Sequence, residues 1–313
     1  MLPEQCESNA EPEPRTRAGV GTPVITVLLP TTKAWPEIAS ALDALLAQAD
    51  APPFEILVLD GHGRALPSPP PPSPMIRWLR LPGNDPFALR AAGVAGARGE
   101  IIAVSEDHCI APPTWIASIA AAHCADPAAA IVGATMNHPD SAGSAMDRAN
   151  FLLTFAGQNH MRLDLAVRRL PVPTNLSFKR HAAPAGELGA GELEYRWLAT
   201  LSHAGAVGVA KSVVLHHRQC WGRSAPRIHF ASGRSFGASV REAPLRHRLQ
   251  WWSSLPLLPL RLASMIWPDL RAGAAGRRPS MADALCVAIL IAANVCGQIA
   301  GAAIGAGDSR ASL

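Results

Sequence analysis

The sequence predicts an α/β fold with a mostly parallel sheet and helices on both faces of that sheet. Short apolar runs at 24–29, 54–59 and 101–104 are typical of buried strands. The segments between them carry apolar residues at helical spacing, and the order strand, helix, strand predicts parallel pairs with right-handed crossovers. At 313 residues, the chain is long enough for one large domain of this kind with an appendage.

Each element follows from the local pattern. The first strand, 24–29, is closed by Pro30, and Pro36 fits the first turn of a helix whose apolar residues run from Ile38 to Ala49. Apolar runs predict the further strands 54–59, 75–81, 101–104, 130–134, 172–178, 206–210 and 213–215. Helices are expected to begin at residue 85, to run from 112 to about 124, and to run from 191 to 204.

Two regions are less regular. Residues 67–74 are mostly proline, so they are predicted to form an exposed polyproline loop that serves as a spacer or as a binding motif. Residues 137–170 are rich in Asn, His, Asp and Arg. We interpret them as the acceptor side of a cleft.

The composition narrows the class of partner. Hydrophobic residues make up 49% of the chain and charged residues only 17%, so part of the chain is expected to be solvated by lipid. The net charge of +4 comes from arginine, because Lys33, Lys179 and Lys211 are the only lysines. This suits an anionic membrane surface or a phosphate ligand. Nucleic acid is not expected, because no basic stripe interleaves with aromatic residues.

The cysteines and the N-terminus indicate a cytosolic setting. Six cysteines show no C-x-x-C spacing, which favours reduced thiols. Residues 1–21 carry acids and prolines where a signal peptide would need basic residues and an apolar core. They are predicted to form a disordered tail.

The C-terminal part changes character. Residues 218–248 are interpreted as an amphipathic basic connector, and 249–313 as a membrane-associated region. Residues 284–305 contain no charge and are long enough to cross a bilayer, with a buried core helix as the alternative. Residues 249–267 contain Pro256, Pro259 and Arg261, so this segment is predicted to be re-entrant or interfacial. Two arginine clusters flank 249–267, and a single crossing at 284–305 would keep both of them in the cytoplasm. They are Arg241, Arg246 and Arg248 before the segment and Arg271, Arg277 and Arg278 after it.

Glycines recur along the predicted span. Gly297, Gly301 and Gly305 form two overlapping G-x-x-x-G spacings, so one face is expected to pack closely on another helix. A helix-mediated oligomer is one expected use of that face.

Charge gathers where the strand at 101–104 ends. The apolar run is followed by Glu106, Asp107 and His108, and ligands of open α/β sheets bind at the carboxyl ends of strands. A carboxylate pair there suits a divalent cation that bridges to phosphate oxygens. The alternative is a solvated acidic turn.

Five blocks in order carry a resemblance to a known family. They are ITVLLPTT at 25–32, FEILVLDGHG at 54–63, ALRAAGVAGARGEIIAVSEDH at 88–108, NLSFKR at 175–180 and GELEYRWLATLSHAG at 191–205. Together they resemble the family 2 glycosyltransferases, which have a GT-A fold with a Rossmann-like nucleotide-binding sheet and use nucleotide-sugar donors. The resemblance covers about 22–217 and is closest to a membrane-associated bacterial branch.

The resemblance implies roles for single residues. Pro30 and Thr31 would line the nucleotide pocket, Asp60 would accept a hydrogen bond from the base, and Arg90 would approach the diphosphate. The family often has Asn where this chain has Ala91, and Gly-His-Gly replaces the usual sequence after Asp60.

The acidic motif receives its roles in the same way. Glu106 would lie near the ribose, and Asp107 would bind a divalent cation, Mn²⁺ or Mg²⁺. His108 stands where a third acid is common and is the second expected metal ligand. His216 and His217 end an apolar run at 213–215, so they either add a metal ligand or remain ordinary unmetallated histidines.

The candidate catalytic base is Glu192. The family's Glu-Asp pair before the late helix is missing, and only Glu192 and Glu194 remain. Two residues apart on a helix, they point about 200° away from each other, so they cannot both face the cleft. Glu192 follows Gly191 at the mouth of the helix, whereas Glu194 flanks the apolar stripe. The alternative is a first-turn acid that stabilises the helix dipole.

Two functions compete at this point. The resemblance implies an inverting, metal-dependent transfer of a sugar from a nucleotide-sugar donor to a lipid-linked or polysaccharide acceptor at the cytoplasmic membrane face. The alternative is a noncatalytic, degenerate transferase fold that serves as a membrane scaffold or partner, because a fold does not ensure chemistry.

Overall fold

The computed structural model describes most of the chain. The described residues are 22–62, 73–155, 158, 163, 174–184, 188–189, 191–218, 220–273 and 278–312, with the side chains of 194, 195 and 310–312 left out. The predicted disordered tail at 1–21 and most of the predicted polyproline loop at 67–74 lie outside these residues.

Strands and helices alternate through the first two thirds of the chain, and helices follow. The strands are β1 (Ile25–Thr31), β2 (Phe54–Asp60), β3 (Ile76–Arg80), β4 (Ile101–Val104), β5 (Cys109–Ile110), β6 (Ala130–Asn137), β7 (Leu176–Lys179) and β8 (Val207–His217). The α-helices are α1 (Ala39–Leu46), α2 (Pro86–Gly96), α3 (Trp115–Ala125), α4 (Ala145–Thr154), α5 (Leu198–His203), α6 (Ala225–Glu242), α7 (Leu245–Ser254), α8 (Leu258–Ala272) and α9 (Met281–Ile304).

The eight strands form one sheet in the order β3-β2-β1-β4-β7-β6-β8-β5. The pairs β1/β2, β2/β3, β1/β4 and β6/β8 are parallel, while β7 runs antiparallel between β4 and β6. The short β5 pairs antiparallel with the end of β8. The predicted α/β class with a largely parallel sheet is confirmed.

Side chains alternate between two buried faces of the sheet. Leu28 and Leu57 face a core shared with α2 and α5, whereas Val27 and Ile56 face a core shared with α1 and α3. This period of two follows from the pleat of the strand. It explains why the strands appear in the sequence as continuous apolar runs, since both faces are covered.

Several predicted boundaries were wrong. Pro30 lies inside β1, because β4 ends opposite Leu28 and leaves the later part of β1 without a partner on that side. Pro36 precedes α1 by three residues and does not belong to its first turn. The runs 206–210 and 213–215 form the single strand β8, in which a bulge accounts for the polar residues between them.

Helices α4, α6, α8 and α9 form a second, helical unit, which we call the C-terminal bundle together with α7. Its core includes Phe151, Leu152, Ile266 and Leu290. Arg148 of α4 donates to Asp283 at the start of α9 through Nη2 at 2.6 Å and Nε at 2.9 Å, and both side chains are 3% exposed. The region 218–248, predicted to be a connector, contains α6, which packs along α9.

Glycines bring α6 and α9 into backbone contact. A Cβ added at Gly297 would collide with the carbonyl oxygen of Phe230, and one added at Gly233 would collide with that of Asn294. Gly237 and Gly301 approach the partner backbone in the same way. The G-x-x-x-G face of α9 therefore packs on a helix, as predicted, but that helix is α6 of the same chain. This face is not available to an oligomer.

Large apolar side chains lie on the surface of the C-terminal bundle. Among the described residues, every exposed large hydrophobic side chain except Met136 belongs to α6–α9 or the turn before α8. They are Phe230, Leu245, Leu249, Trp252, Leu257, Leu260, Trp267, Met281, Leu285, Ile289 and Ile304. Helix α7 has no buried residue. Helix α9 is long and apolar enough to cross a membrane.

Candidate functional site

Strand direction brings the polar residues to one edge. Because β1, β2, β4, β6 and β8 all run the same way, their carboxyl ends meet at that edge of the sheet. Thr31 ends β1 opposite Asp60 of β2, and His217 ends β8 opposite Asn137 of β6. Glu106, Asp107 and His108 follow β4 between these two pairs of strands.

Glu106 is held by three neighbours. Arg90 Nη2 and Thr174 Oγ1 donate to Glu106 Oε1 at 2.9 and 2.8 Å, and His108 Nε2 lies 3.0 Å from Oε2. Burial raises the pKa of Glu106, but hydrogen bonding and charge from His108 and the charge of Arg90 outweigh it and hold that pKa below its usual value. Glu106 is therefore a carboxylate at neutral pH.

Asp107 faces the loop after β1. Its Oδ2 accepts from Thr31 Oγ1 at 2.8 Å, and its Oδ1 accepts from Lys33 Nζ at 2.9 Å and from His108 Nδ1 at 3.0 Å. Burial raises the pKa of Asp107, and hydrogen bonding and charge from His108 with the charge of Lys33 lower it overall. This side chain is also ionised.

His108 and His217 form the inner wall of the site. Their rings are in edge contact, with centroids 4.7 Å apart, and His217 also contacts the ring of Phe155 at 4.7 Å. Burial lowers the pKa of His108, but Asp107 and Glu106 raise it overall. His108 therefore keeps its proton to a higher pH than an ordinary histidine.

The residues present fit a divalent cation. One ligand atom from each of Glu106, His108 and His217 lies within 4.8 Å of the other two. His108 Nε2 is buried and lies 3.0 Å from Glu106 Oε2, so an ion bound by both atoms would replace this ion pair. A carboxylate with two imidazoles suits Mn²⁺ or Zn²⁺ better than Mg²⁺. Asp107, the first predicted metal ligand, points instead to Thr31 and Lys33.

Three members of the site were missed by sequence reasoning or left undecided. Thr174 reaches Glu106 because β7 is antiparallel and begins at this edge. Asn175 has a φ of 58° and joins three elements: its side chain accepts from Trp115 Nε1 and donates to the carbonyls of Ala134 and Val213. For His217 the sequence allows either a metal ligand or an ordinary histidine. All three reach the site through contacts between residues that are distant in sequence, and local sequence patterns do not reveal such contacts.

The predicted nucleotide-pocket residues lie side by side at the ends of β1 and β2. Pro30 pairs with Leu59, and Asp60 is 2% exposed. The Asp60 Oδ1 atom accepts a hydrogen bond from the backbone of His62 at 2.9 Å. The structure thus places Pro30, Thr31 and Asp60 together.

Glu192 lies apart from these contacts. It begins a π-helical segment, Glu192–Trp197, directly after Gly191, which has a φ of 79°. Its Oε2 accepts from the backbone of Gly189 at 3.0 Å, and no described contact joins it to Glu106, His108 or His217. Leu198 is fully buried in the sheet core, as the predicted helix face requires. π-helical turns are frequent at functional sites.

Comparison with known families gives one match by sequence. The model described as glycosyl transferase family 2 matches residues 26–183, which contain β1 through β7 and the site residues from Pro30 to Asn175. No curated protein sequence matches the chain.

Solved structures give further matches. A mannosyltransferase from Pyrobaculum calidifontis, solved with GDP-Man and Mn²⁺, is 16% identical, with 90% of this chain and 88% of that chain covered and a TM-score of 0.54. TarS 1–349 of S. aureus is 12% identical, with 88% and 90% covered and a TM-score of 0.45. Glucosyl-3-phosphoglycerate synthase from Mycobacterium tuberculosis is 15% identical, with 63% and 72% covered and a TM-score of 0.39.

Proposed function

The chain belongs to glycosyl transferase family 2, and we propose that it moves a sugar from a nucleotide-sugar donor to an acceptor hydroxyl at a membrane surface. The observation that carries this proposal is the group formed by Glu106, His108 and His217 at the carboxyl edge of the sheet. Ligands of open α/β sheets bind at this edge. Cationic side chains of Arg90 and Lys33 adjoin the group, which suits a diphosphate.

The donor side follows the sheet edge from β2 to β4. Pro30, Thr31 and Asp60 would meet the nucleotide base, and Glu106 would lie near the ribose. Arg90 would stabilise the diphosphate without moving, since its guanidinium is 7% exposed and paired with Glu106. These assignments rest on the family motif and on the proximity of the residues.

Of the two ions that the family resemblance implies, Mn²⁺ and Mg²⁺, we propose Mn²⁺ as the cofactor, because two of the three ligands are imidazoles. When bound, a divalent cation stabilises the negative charge that gathers on the leaving diphosphate. Glu106, His108 and His217 would hold it. Asp107 remains a candidate ligand, because carboxylates bind divalent ions and its oxygen would become accessible once Lys33 is displaced. A metal-bound imidazole is neutral, so binding would release the proton of His108.

Glu192 is proposed as the base. The acceptor hydroxyl loses a proton as its oxygen bonds to the anomeric carbon and the diphosphate leaves with the electron pair of the broken bond. A single displacement of this kind inverts the configuration. Glu192 stands at the exposed mouth of the π-helical segment, where its carboxylate leaves Gly189 without disturbing the core.

The membrane location is supported by the C-terminal bundle. Helix α9 is proposed as the one full crossing, while α7 and α8 lie in the interface plane with their exposed Leu and Trp side chains in lipid. Phe155 contacts His217 and belongs to the same apolar core as α9, so the site adjoins the membrane unit. This favours a lipid-linked acceptor over a polysaccharide, on the cytoplasmic side.

The test is donor hydrolysis and transfer by the full-length protein with a panel of nucleotide sugars, with and without Mn²⁺. Glu106→Gln should lower turnover by roughly 100-fold or more, because it removes a charge that the ion needs. Glu192→Gln should lower turnover by a similar factor with donor binding intact. Glu100→Gln, an exposed change outside the site, is the matched control.

The competing function has a distinct outcome. A noncatalytic scaffold would show no Mn²⁺-dependent hydrolysis of any donor, even where the protein is folded and inserted. Full turnover in Glu192→Gln, or loss of turnover only in Glu194→Gln, would exclude Glu192 as the base.

The topology has its own test. With one crossing, a cysteine introduced near residue 275 should resist labelling from outside the cell, because both arginine clusters stay in the cytoplasm. Ready labelling there would show that the segment 249–267 crosses the membrane.

A further inference from the structure

Lys33 is a partly exposed cation beside the acidic motif. It lies in the loop after β1, two residues beyond Thr31, and its backbone N–H donates to Thr31 Oγ1 at 3.0 Å. Its ammonium lies 2.9 Å from Asp107 Oδ1. The Thr31 hydroxyl donates to the other oxygen of the same carboxylate, so the loop backbone and the acid are tied together whether or not the ammonium stays.

Asp107 does not depend on Lys33 alone. Thr31 Oγ1 and His108 Nδ1 also donate to this carboxylate, from groups that are largely buried. The side chain of Lys33 is 37% exposed, against 16% for that of His108. Lys33 is therefore the donor that leaves at the lowest cost in free energy, because water can solvate its ammonium and two other donors remain.

Arg90 is not mobile in the same way. Its guanidinium is 7% exposed, donates to Glu106 at 2.9 Å and lies 5.7 Å from the ring centroid of Phe87. An arginine fixed by a carboxylate and an aromatic ring keeps its positive charge at one position in the site. Lysine has a flexible stem and a compact charge, and it is a common partner of phosphate.

We propose that Lys33 binds the diphosphate of the donor, and that Asp107 holds its ammonium while the donor is absent. This proposal rests on the donor class proposed above. The ammonium exchanges one anion for another, so it stays paired with a negative charge in both states. When Lys33 leaves, Asp107 keeps its bonds to Thr31 and His108 but no longer has a lysine as counter-ion, and its charge becomes available to the cation site.

The variant Lys33→Met keeps the apolar stem of the side chain and removes its charge. Its affinity for a nucleoside diphosphate and its affinity for Mn²⁺ should change in opposite directions. Affinity for UDP or GDP should fall about tenfold, as expected for one hydrogen bond to a charged group, while affinity for the matching nucleoside stays the same. Affinity for Mn²⁺ alone should rise a few-fold, because a competing cation has gone. Calorimetric titration of the full-length protein measures all three.

The controls separate this role from a structural one. Lys33→Arg should restore diphosphate affinity to within about threefold, and Lys211→Met, an exposed lysine on β8, should change neither constant. An unchanged ratio of diphosphate to nucleoside affinity in Lys33→Met would overturn the proposal. If both affinities fell by the same factor, the ratio would also be unchanged, and Lys33 would have a local structural role.

Failure of the proposed function gives a different result. If the unaltered protein binds neither UDP nor GDP more tightly than the nucleosides, the donor class is wrong and the Lys33 proposal falls with it. If the unaltered protein prefers the diphosphates and Lys33→Met does so equally, only the Lys33 proposal falls.

Discussion

The sheet region and the C-terminal bundle place their apolar side chains in opposite ways. In the sheet region, Leu and Ile face inward, and the polar residues collect at one edge. In the C-terminal bundle, Leu249, Trp252 and Leu260 face outward, and α6 and α9 meet through glycines. Water stabilises the first arrangement through the hydrophobic effect. The second is consistent with the membrane location proposed above, because in lipid close backbone packing takes the place of that driving force.

The difference shows that one chain can follow two rules of packing. Arg148 of α4 and Asp283 of α9 form a buried ion pair inside the C-terminal bundle, and His217 connects the site to the bundle core through Phe155. The largest effect is therefore expected where a buried charge of the bundle would lose its partner, and smaller effects are expected at the glycine contact and in the sheet region.

The strongest test removes half of the buried ion pair. Arg148→Met should lower the free energy of unfolding by about 3 to 5 kcal/mol, because it leaves the charge of Asp283 buried and unpaired. Thermal unfolding in detergent measures the loss. The double variant Arg148→Met with Asp283→Leu should recover most of it, and a double variant as unstable as the single one would show that the pair does more than neutralise charge.

The second test concerns the glycine contact. Gly297→Leu should cost about 3 kcal/mol, because the new side chain meets the backbone of α6 at Phe230 and forces the helices apart. Donor binding at the sheet edge should survive, since the site lies in the other region. Ala292→Leu, on the exposed face of α9, is the matched control and should be neutral in detergent. Equal effects of the two changes would mean that α6 and α9 do not pack as described.

The third test uses pH and belongs to the sheet region. Burial, with a smaller contribution from the charge of Lys179, lowers the pKa of His123 to about 4, and its Nε2 lies 3.0 Å from Ser177 Oγ. The unfolded chain binds a proton near pH 6.5 and the folded chain does not, so stability should fall as the pH drops from 6.5 towards 4. The loss should reach roughly 2 kcal/mol at pH 5.

The control replaces the imidazole by a neutral group of similar reach. His123→Gln should flatten this part of the pH profile of unfolding, even if it lowers stability at pH 7. An identical slope between pH 6.5 and 5 in the variant would assign the acid sensitivity to other groups.

The smallest effect is expected at the hydroxyl that reaches Glu106. Thr174→Val removes one of three groups on that carboxylate and should lower kcat/KM about fivefold, equivalent to about 1 kcal/mol. Thr200→Val removes a hydroxyl that donates to the backbone of its own helix and should leave kcat/KM unchanged. A fold change of a hundred or more in Thr174→Val would mean that this hydroxyl touches the substrate.

Local patterns were sufficient for the parts of the fold that depend on neighbours in sequence. The parallel strands at 24–29, 54–59 and 101–104 were predicted because both faces of such strands are apolar. The acids after β4 stood out because they directly follow one of these apolar runs. Glycine spacing on α9 predicted a close helix contact. In each case the information lies within one element.

The remaining features depend on which distant elements meet. The partner of α9 could not be named, because Gly233 and Gly237 match Gly297 and Gly301 only once α6 is known to lie beside α9. Thr174 reaches the site through antiparallel pairing of β7. The pairing of Lys33 with Asp107 joins residues 74 positions apart. No periodicity within a single element encodes these contacts.

The bulge in β8 has a consequence for motion near the site. Residues 130–133 pair with 207–210, and 134–137 pair with 214–217, so 211–213 interrupt the ladder. The end of β8 that carries His217 is thus a short ladder of its own, bounded by the bulge. Its backbone can open without the rest of the strand. Residues 216–217 also pair with β5, whereas in the described sheet 207–210 pair with β6 only. We therefore expect amide hydrogens of 214–217 to exchange with solvent more slowly than those of 207–210, so the imidazole beside the acids is supported by the better protected half of the strand.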